Sequence, residues 1–128
     1  MKQETLRVFV YGTLRKGQYN HYLLDKARFI KDTRDDGFQM FSRGFFPFLY
    51  EGEGSIVAEL YEINQNIFFS LDLLEGYPHH YQRKIVSDVD GEQAWIYYYE
   101  YRSNESYLSN ALYIENGDWL SFIDMFED

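Results

Sequence analysis

The sequence predicts an α+β domain whose sheet closes, or nearly closes, into a barrel. Runs typical of short strands are interspersed with two or three helical segments, which is the pattern of this class. Aromatic residues make up 20% of the chain and include 13 Tyr and 11 Phe, enough to pack both faces of a curved sheet. At 128 residues the chain is expected to form one domain, residues 1–128.

The N-terminal part of the chain predicts a strand, a turn and a short helix. Residues 6–11 are rich in Val and Phe and run into Gly12, as a buried strand followed by a turn does. A short helix is predicted over residues 20–26 with Asn20 as its N-cap, and a second strand over residues 29–33.

Glycines suggest several interruptions in the middle of the chain. Asp36 and Gly37 form a turn signal, and residues 38–50 are expected to form short strand pieces joined by loops. Gly52 and Gly54 are expected to break the chain before a strand over residues 55–63, which mixes β-branched and aromatic residues.

Two helices and one hairpin follow from clearer patterns. Apolar residues fall at helical spacing over residues 65–75, and Gly76 and Pro78 supply the stop expected beyond a helix end. Strand-like runs over 81–89 and 93–102 surround Asp90-Gly91, a dipeptide that favours a tight hairpin turn. Asp118 is the expected N-cap of a last helix, whose apolar face comprises Trp119, Phe122, Ile123 and Phe126.

Charge and cysteine content exclude several classes of function. The 12 Lys and Arg against 21 Asp and Glu give a net charge of -9, which repels a nucleic-acid backbone. The N-terminal apolar run is too short for a signal peptide core or a membrane span, so we expect a cytoplasmic protein that binds no membrane. Without cysteine, any covalent chemistry uses other groups. The oligomeric state is not predicted.

The first stretch that could carry chemistry is residues 8–21, where a strand delivers its end into a glycine-hinged loop. Gly12 lacks the Cβ that would obstruct a ligand, so the following N–H groups can point at a carboxylate or an oxyanion. A phosphate-binding loop is excluded, because Gln18 and Tyr19 stand where that motif requires Lys and Ser or Thr. On spacing alone, an ordinary connection between fold elements explains this stretch better.

The second stretch is residues 71–86, with Glu75 on the last turn of a predicted helix. The negative end of the helix and neighbours such as Leu74, Tyr77 and Tyr81 disfavour ionisation, which raises the pKa of this carboxyl. A raised pKa suits proton transfer near neutrality. On spacing alone, a solvated terminal glutamate without a role is the better explanation.

Other candidates are weaker. His79 and His80 are adjacent and cannot both face one metal from a regular element, so no metal site is predicted. Glu51 and Glu53 flank Gly52 on an expected surface loop rather than forming a glycosidase pair. Four tyrosines could form a stacking platform for single-stranded nucleic acid, but the acidic charge favours a barrel wall with one or two facing a pocket: Tyr97, Tyr98, Tyr99 and Tyr101.

Together the two stretches resemble the γ-glutamylcyclotransferase-like superfamily. The residues that carry the resemblance are Tyr11-Gly12-Thr13-Leu14 and the pattern L-D-x-x-E-G-Y-P-x-x-Y-x-R over residues 71–83. The longer stretch YGTLRKGQYNH, residues 11–21, is similar to the branch that includes γ-glutamylamine cyclotransferase. The resemblance implies a small mixed β-barrel with flanking short helices.

The resemblance also implies an activity and a set of site residues. A γ-glutamyl amine or amino acid would cyclise to 5-oxoproline with release of the free amine, and no cofactor or metal would be needed. Glu75 matches the catalytic glutamate. The backbone amides of Gly12, Thr13 and Leu14 would hold the γ-glutamyl group, with Tyr11 at the pocket floor. Tyr81 would form a pocket wall and Arg83 a structural ion pair. A binding module that holds an amino-acid-like ligand without turnover remains the alternative.

Overall fold

Six strands and two α-helices form the part of the chain that the computed structural model describes, residues 6–100 and 111–126. A short 3₁₀ helix, His21–Leu24, follows the first strand. The strands are Leu6–Val10 (β1), Arg28–Ser42 (β2), Pro47–Ile63 (β3), Gln82–Ser87 (β4), Gln93–Tyr98 (β5) and Leu112–Ile114 (β6). The α-helices are Gln65–Glu75 (α1) and Trp119–Asp124 (α2).

The strands form one mixed sheet in the order β4-β5-β1-β3-β2-β6. β1 is parallel to β5 and antiparallel to β3, and the other neighbouring strands are antiparallel. The β4–β5 hairpin also reaches across the curled sheet, because Val89 N–H donates to the Arg34 carbonyl at 3.0 Å. On the other side, Tyr99 N–H donates to the Leu49 carbonyl at 2.8 Å. The α+β class is confirmed, as a half-closed barrel with few short helices.

The predicted interruptions at glycines are wrong. β2 continues through Asp36 and Gly37 with a β-bulge, where Gly37 has a φ of 94°. β3 continues through Gly52 and Gly54, because the missing side chains let the two strands approach: a Cβ on Gly54 would lie 2.6 Å from the Phe38 carbonyl oxygen. Loops within 38–50 reduce to one tight turn at 43–46. Glu51 and Glu53 therefore lie exposed on a strand rather than on a loop.

The predicted short helix near the N-terminus is shorter than expected and is not capped by Asn20. The structure has a single 3₁₀ turn without a side-chain cap. The Asn20 side chain is engaged elsewhere, since its Nδ2 donates to Thr13 Oγ1 at 2.9 Å. The asparagine therefore closes the preceding loop instead of starting a helix.

The remaining predicted elements are confirmed. α1 spans the predicted residues, and Asn64 caps it by accepting from Ile67 N–H at 2.8 Å. Gly76, with a φ of 66°, ends the helix in the left-handed region, as glycine does in this position. Asp118 caps α2, although Phe126 lies beyond the helix and is 67% exposed. The hairpin around Asp90-Gly91 is present, and its predicted end at Arg102 lies outside the described residues.

The two helices cover opposite faces of the sheet. Val8 and Val10 point to the core cluster that includes the buried face of α1, whereas Phe9 points to the cluster that includes Trp119 of α2. This alternation along β1 is what a strand buried on both faces requires. The C-terminal end of β1 consequently lies near the end of α1. Within residues 6–100 and 111–126, no helix has the length and apolarity needed to cross a membrane.

Candidate active site

A cavity of about 440 Å³ opens where β1 ends, next to the C-terminus of α1. It brings together all the site residues that the sequence suggested, although they come from chain segments about sixty residues apart. These residues are Tyr11, Gly12, Thr13, Leu14, Glu75 and Tyr81. The cavity therefore joins the two motifs into one candidate site.

The loop after β1 is held by its own polar groups. Arg15 N–H donates to the Gly12 carbonyl and Asn20 N–H to the Thr13 carbonyl, both at 3.0 Å. His21 Nδ1 lies 2.8 Å from the Leu14 carbonyl oxygen. The side-chain bond from Asn20 to Thr13 adds a further closure. The residues of the stretch YGTLRKGQYNH thus fix the shape of this loop.

Gly12 is required by packing against Pro47. A Cβ at position 12 would lie 2.5 Å from Cγ of Pro47, a distance that real side chains do not adopt. The proline ring also lines the cavity, so the loop and the start of β3 form one continuous wall. The sequence suggested that this glycine clears room for a ligand. In the structure it also avoids a clash with the ring of Pro47.

The N–H groups of Gly12, Thr13 and Leu14 are left for a ligand. Within residues 6–100 and 111–126, none of these three groups donates to a protein acceptor. Adjacent backbone N–H groups at the wall of a cavity form an anion-binding site. A carboxylate or a developing oxyanion is the group that they can bind.

A buried ion-pair network supports this loop from behind. Arg15, 6% exposed, donates from Nε to Glu59 Oε2 and from Nη1 to Asp118 Oδ1, both at 2.9 Å. Glu59 also accepts from Lys16 N–H at 3.1 Å and from the Tyr61 hydroxyl at 2.9 Å. The loop is thereby fastened to β3 and to the cap of α2.

Glu75 supplies a carboxyl group to the cavity. It is the last residue of α1 and is partly buried. Burial raises its pKa from an ordinary value of 4.5 to about 8. No hydrogen bond or ion pair engages the Glu75 side chain in the described part of the chain. The carboxyl is therefore protonated for a large fraction of the time near neutrality and is available to exchange protons.

The neighbours of Glu75 differ in part from those expected. Leu74 and Tyr81 line the cavity as predicted, but Tyr77 packs instead on Arg83, whose guanidinium lies 4.1 Å from the ring centroid. Tyr11 is close enough that the charge of Glu75 adds to the effect of burial in raising the pKa of its hydroxyl. Tyr81 Oη lies 3.5 Å from the Pro47 carbonyl oxygen.

Several cavity residues were not predicted. Asn20, Pro47 and His80 line the cavity, and His80 contacts the Tyr99 hydroxyl through its Nε2. Of the tyrosine cluster, Tyr97 lines the cavity, while Tyr101 lies outside the described residues. Alternation along β5 indicates which tyrosines share a face, but not which face meets the cavity.

The other candidates do not form a second site. Glu51 pairs with Lys84 on the exposed side of the sheet. Over residues 6–100 and 111–126, no three His, Asp or Glu side chains are grouped so that they could hold a metal ion. Arg83 forms the predicted structural ion pair, with Nε 2.9 Å from Asp72 Oδ1.

Comparison with known proteins assigns the chain to a family. Residues 8–121 match the family model described as "Gamma-glutamyl cyclotransferase, AIG2-like". The gamma-glutamylcyclotransferase family protein YtfP of Escherichia coli is 33% identical over 115 residues, covering 90% of this chain and 96% of the relative.

Two solved structures extend the similarity to the fold. The Pyrococcus horikoshii protein PH0828 superposes with a TM-score of 0.75 at 25% identity, covering 94% of this chain and 95% of that one. A mouse AIG2-like protein superposes with a TM-score of 0.69 at 29% identity, covering 76% and 78%. With its sequence, fold and paired motifs in agreement, the chain belongs to the AIG2-like γ-glutamylcyclotransferase family.

Proposed function

We propose that the protein cyclises a γ-glutamyl amine or γ-glutamyl amino acid to 5-oxoproline and releases the free amine, with Glu75 as general acid/base. The observation that carries the proposal is a pairing across one cavity. A carboxyl with a raised pKa faces the same space as three backbone N–H groups, and neither the carboxyl nor the N–H groups have a hydrogen-bond partner among the residues that the structure describes. The first is suited to proton transfer and the second to binding an anion.

The loop after β1 would hold the substrate. Its N–H groups at Gly12, Thr13 and Leu14 can accept the α-carboxylate, and Tyr11 and Tyr81 limit where the glutamyl chain can lie. Binding in this way folds the chain so that the α-amine approaches the γ-carbonyl carbon. Because nucleophile and electrophile belong to one molecule, orientation supplies much of the rate enhancement.

Glu75 would make the amine reactive. An α-ammonium has a pKa of about 7.7–8.0 and cannot attack until it loses a proton. An ordinary glutamate has a pKa of about 4.3, which lies about 3.5 units below that of the α-ammonium. Transfer of the proton to such a glutamate would cost about 5 kcal/mol. With a pKa of about 8, Glu75 takes the proton at almost no cost in free energy.

The proton inventory of the reaction is balanced without another reactant. The new bond joins the α-nitrogen to the γ-carbon, and the bond from that carbon to the amide nitrogen breaks. One of the three ammonium hydrogens stays on the ring nitrogen. The other two leave with the released amine as its ammonium, and Glu75 transfers them. The loop N–H groups stabilise the oxyanion of the tetrahedral intermediate. This chemistry requires no cofactor.

Charge at the cavity favours amines over amino acids as the released group. A γ-glutamyl amino acid carries a second carboxylate, which an Arg or Lys would ordinarily bind. Among the described residues, no Arg or Lys lines the cavity. A released amine without a carboxylate needs no such partner, so it suits the aromatic and apolar wall better.

The test is a substrate panel with detection of 5-oxoproline. Purified protein is incubated with γ-glutamyl amines, γ-glutamyl amino acids and, as a negative control, α-glutamyl amines that cannot close the same ring. We expect turnover of γ-glutamyl amines and slower turnover of γ-glutamyl amino acids. Recovery of every γ-glutamyl compound unchanged would contradict the proposal, and bound but intact ligand would favour the binding module.

A further inference from the structure

Asp72 connects the end of α1 to the wall of the cavity. It precedes Glu75 by one helical turn, so both side chains lie on neighbouring parts of the helix surface. Asp72 Oδ1 accepts from the Tyr97 hydroxyl at 2.7 Å and from Arg83 Nε at 2.9 Å. Asp72 Oδ2 accepts from Arg83 Nη2 at 3.3 Å, which makes the ion pair bidentate.

Aromatic rings fix Arg83 in place. Its guanidinium carbon lies 4.3 Å from the ring centroid of Phe68 and 4.6 Å from that of Trp95. The ring of Tyr77, just beyond α1, is 4.1 Å away. Cation–π contacts with three rings, together with 17% side-chain exposure, hold the positive charge beside Asp72. Arg83 is therefore part of a rigid contact between β4 and α1.

Tyr97 extends this contact into the cavity. It lines the cavity with Glu75, and its main-chain carbonyl accepts from the Tyr11 hydroxyl at 2.7 Å. The pKa of the Tyr97 hydroxyl is raised by burial, by the bond to Asp72, and by the charges of Asp72 and Glu75. Tyr97 thus contacts Asp72 directly and lines the same cavity as Glu75.

We propose that Asp72, Arg83 and Tyr97 are positioning residues for Glu75 in the reaction. Arg83 compensates the charge of Asp72 one turn before the proposed acid/base, and Tyr97 holds the end of α1 against the cavity wall. The inference rests on the proposed function, but its electrostatic part can be measured without turnover.

The groups around Glu75 come from every element packed near it. Asp72 lies on α1 itself, and the others lie after β1, in the loop after α1, and on β4 and β5: Tyr11, Tyr19, His80, Tyr81, Arg83 and Tyr97. Among these, the Asp72–Arg83 pair is the one in which a single substitution leaves one unpaired charge of chosen sign.

The test is titration of the Glu75 side-chain carboxyl by carbon-detected NMR, with Glu75→Gln identifying its signal. Arg83→Gln leaves Asp72 unpaired and should raise the pKa of Glu75 by about 0.5–1 pH unit. Asp72→Asn leaves Arg83 unpaired and should lower it by a similar amount. The double variant removes both charges and should return the pKa to near its original value. Loss of structure alone would not give shifts of opposite sign that cancel.

Two further variants complete the experiment. Arg28→Gln breaks the exposed Arg28–Glu62 pair and should leave the pKa of Glu75 unchanged. Tyr97→Phe keeps the ring but removes the hydroxyl, so kcat with a γ-glutamyl amine should fall about 3- to 10-fold while the fold is kept. This variant also serves if Arg83→Gln does not fold.

The outcomes separate this inference from the proposed function. If the pKa of Glu75 shifts in opposite directions in Arg83→Gln and Asp72→Asn but no substrate is turned over, the proposed function is contradicted while the link between Asp72 and Glu75 is supported. The positioning role would be overturned if the unaltered protein turns over substrate but the pKa of Glu75 does not move in Asp72→Asn. An unchanged kcat in Tyr97→Phe would overturn it as well.

Discussion

Glu75 and Asp35 are two carboxyl groups with raised pKa values in very different surroundings. Glu75 ends α1 at the cavity, whereas Asp35 is fully buried within β2. Burial is the largest cause of the raised pKa in both, to about 8 for Glu75 and about 7 for Asp35. Neither oxygen of Asp35 has a hydrogen-bond partner within residues 6–100 and 111–126. Asp36 and Asp88 add to its shift by their negative charge.

A raised pKa is therefore not sufficient to identify a catalytic carboxyl. Asp35 is enclosed by the sheet and does not line the cavity, so no substrate can exchange a proton with it. Glu75 has a comparable pKa, but it also meets open space and faces the N–H groups of the loop after β1, which have no acceptor in the described part of the chain. Perturbation indicates function only together with access and a partner group.

Replacing Glu75 should have the largest effect on turnover. We expect Glu75→Gln to lose about 10²- to 10⁴-fold in kcat, because it keeps the shape of the side chain but cannot accept the amine's proton. The matched control is Asp35→Asn, which removes the other carboxyl whose pKa is raised. Formation of 5-oxoproline is measured for both. Full turnover by Glu75→Gln, or an inactive but folded Asp35→Asn, would contradict the assignment of Glu75 as the catalytic carboxyl.

The pH dependence of turnover should report one proton shared between Glu75 and the substrate amine. Proton transfer needs a carboxylate with an ammonium, so kcat/KM should rise toward the lower of the two pKa values and fall beyond the higher one. With Glu75 at about 8 and an α-amine at about 7.7–8.0, the maximum should lie near pH 8. Each limb should approach a tenfold change per pH unit. A flat profile from pH 6 to about pH 9 would contradict this assignment.

Asp35 should instead govern stability. Its pKa is raised in the folded state, so between about pH 4 and pH 7 the native protein keeps a proton that the unfolded chain has released. The free energy of unfolding therefore falls as pH rises across this window, and the loss is complete above it. Asp35→Asn should remove this fall and stabilise the protein by about 1–3 kcal/mol at pH 8, as measured by denaturant titration.

The control for this prediction is Asp36→Asn at the exposed neighbouring position. It should leave most of the pH dependence of unfolding in place, because the desolvated group is still Asp35. A pH dependence that survives in Asp35→Asn and disappears in Asp36→Asn would show that the wrong carboxyl has been identified.

Glu75→Gln should also change stability, in the same direction as Asp35→Asn. The raised pKa of Glu75 costs stability as pH rises toward about 8, since the folded state retains its proton longer than the unfolded chain does. Glu75→Gln removes this cost, so its free energy of unfolding at about pH 9 should exceed that of the unaltered protein by about 1–3 kcal/mol. Denaturant titration measures this, and a loss of stability in Glu75→Gln at the same pH would contradict the raised pKa.

Sequence patterns predicted the helix and hairpin accurately because their signals are local. Asn64, Gly76 and Asp90-Gly91 each act on the backbone beside them. The breaks predicted at glycines of the long strands are wrong, because Gly54 accommodates a carbonyl of the facing strand, which no local pattern reveals. Contacts within the candidate site are likewise not revealed by local patterns.

The motifs identified the residues of the candidate site but not the contacts between them. Glu75 and the loop at Gly12 were found from resemblance, and the ion pair of Arg83 was expected. That Arg83 pairs with Asp72, and that Tyr97 joins them, depends on how β4 and β5 pack on α1. The expected cytoplasmic location and single-domain extent remain predictions.

The most direct measurement is a crystal structure of Glu75→Gln with an intact γ-glutamyl amine bound. The α-carboxylate should accept hydrogen bonds from the N–H groups of Gly12, Thr13 and Leu14, and the α-nitrogen should lie within about 3.2 Å of the side chain at position 75. A ligand bound with its α-amine remote from that side chain, or with its carboxylate away from the loop, would contradict the proposed mechanism.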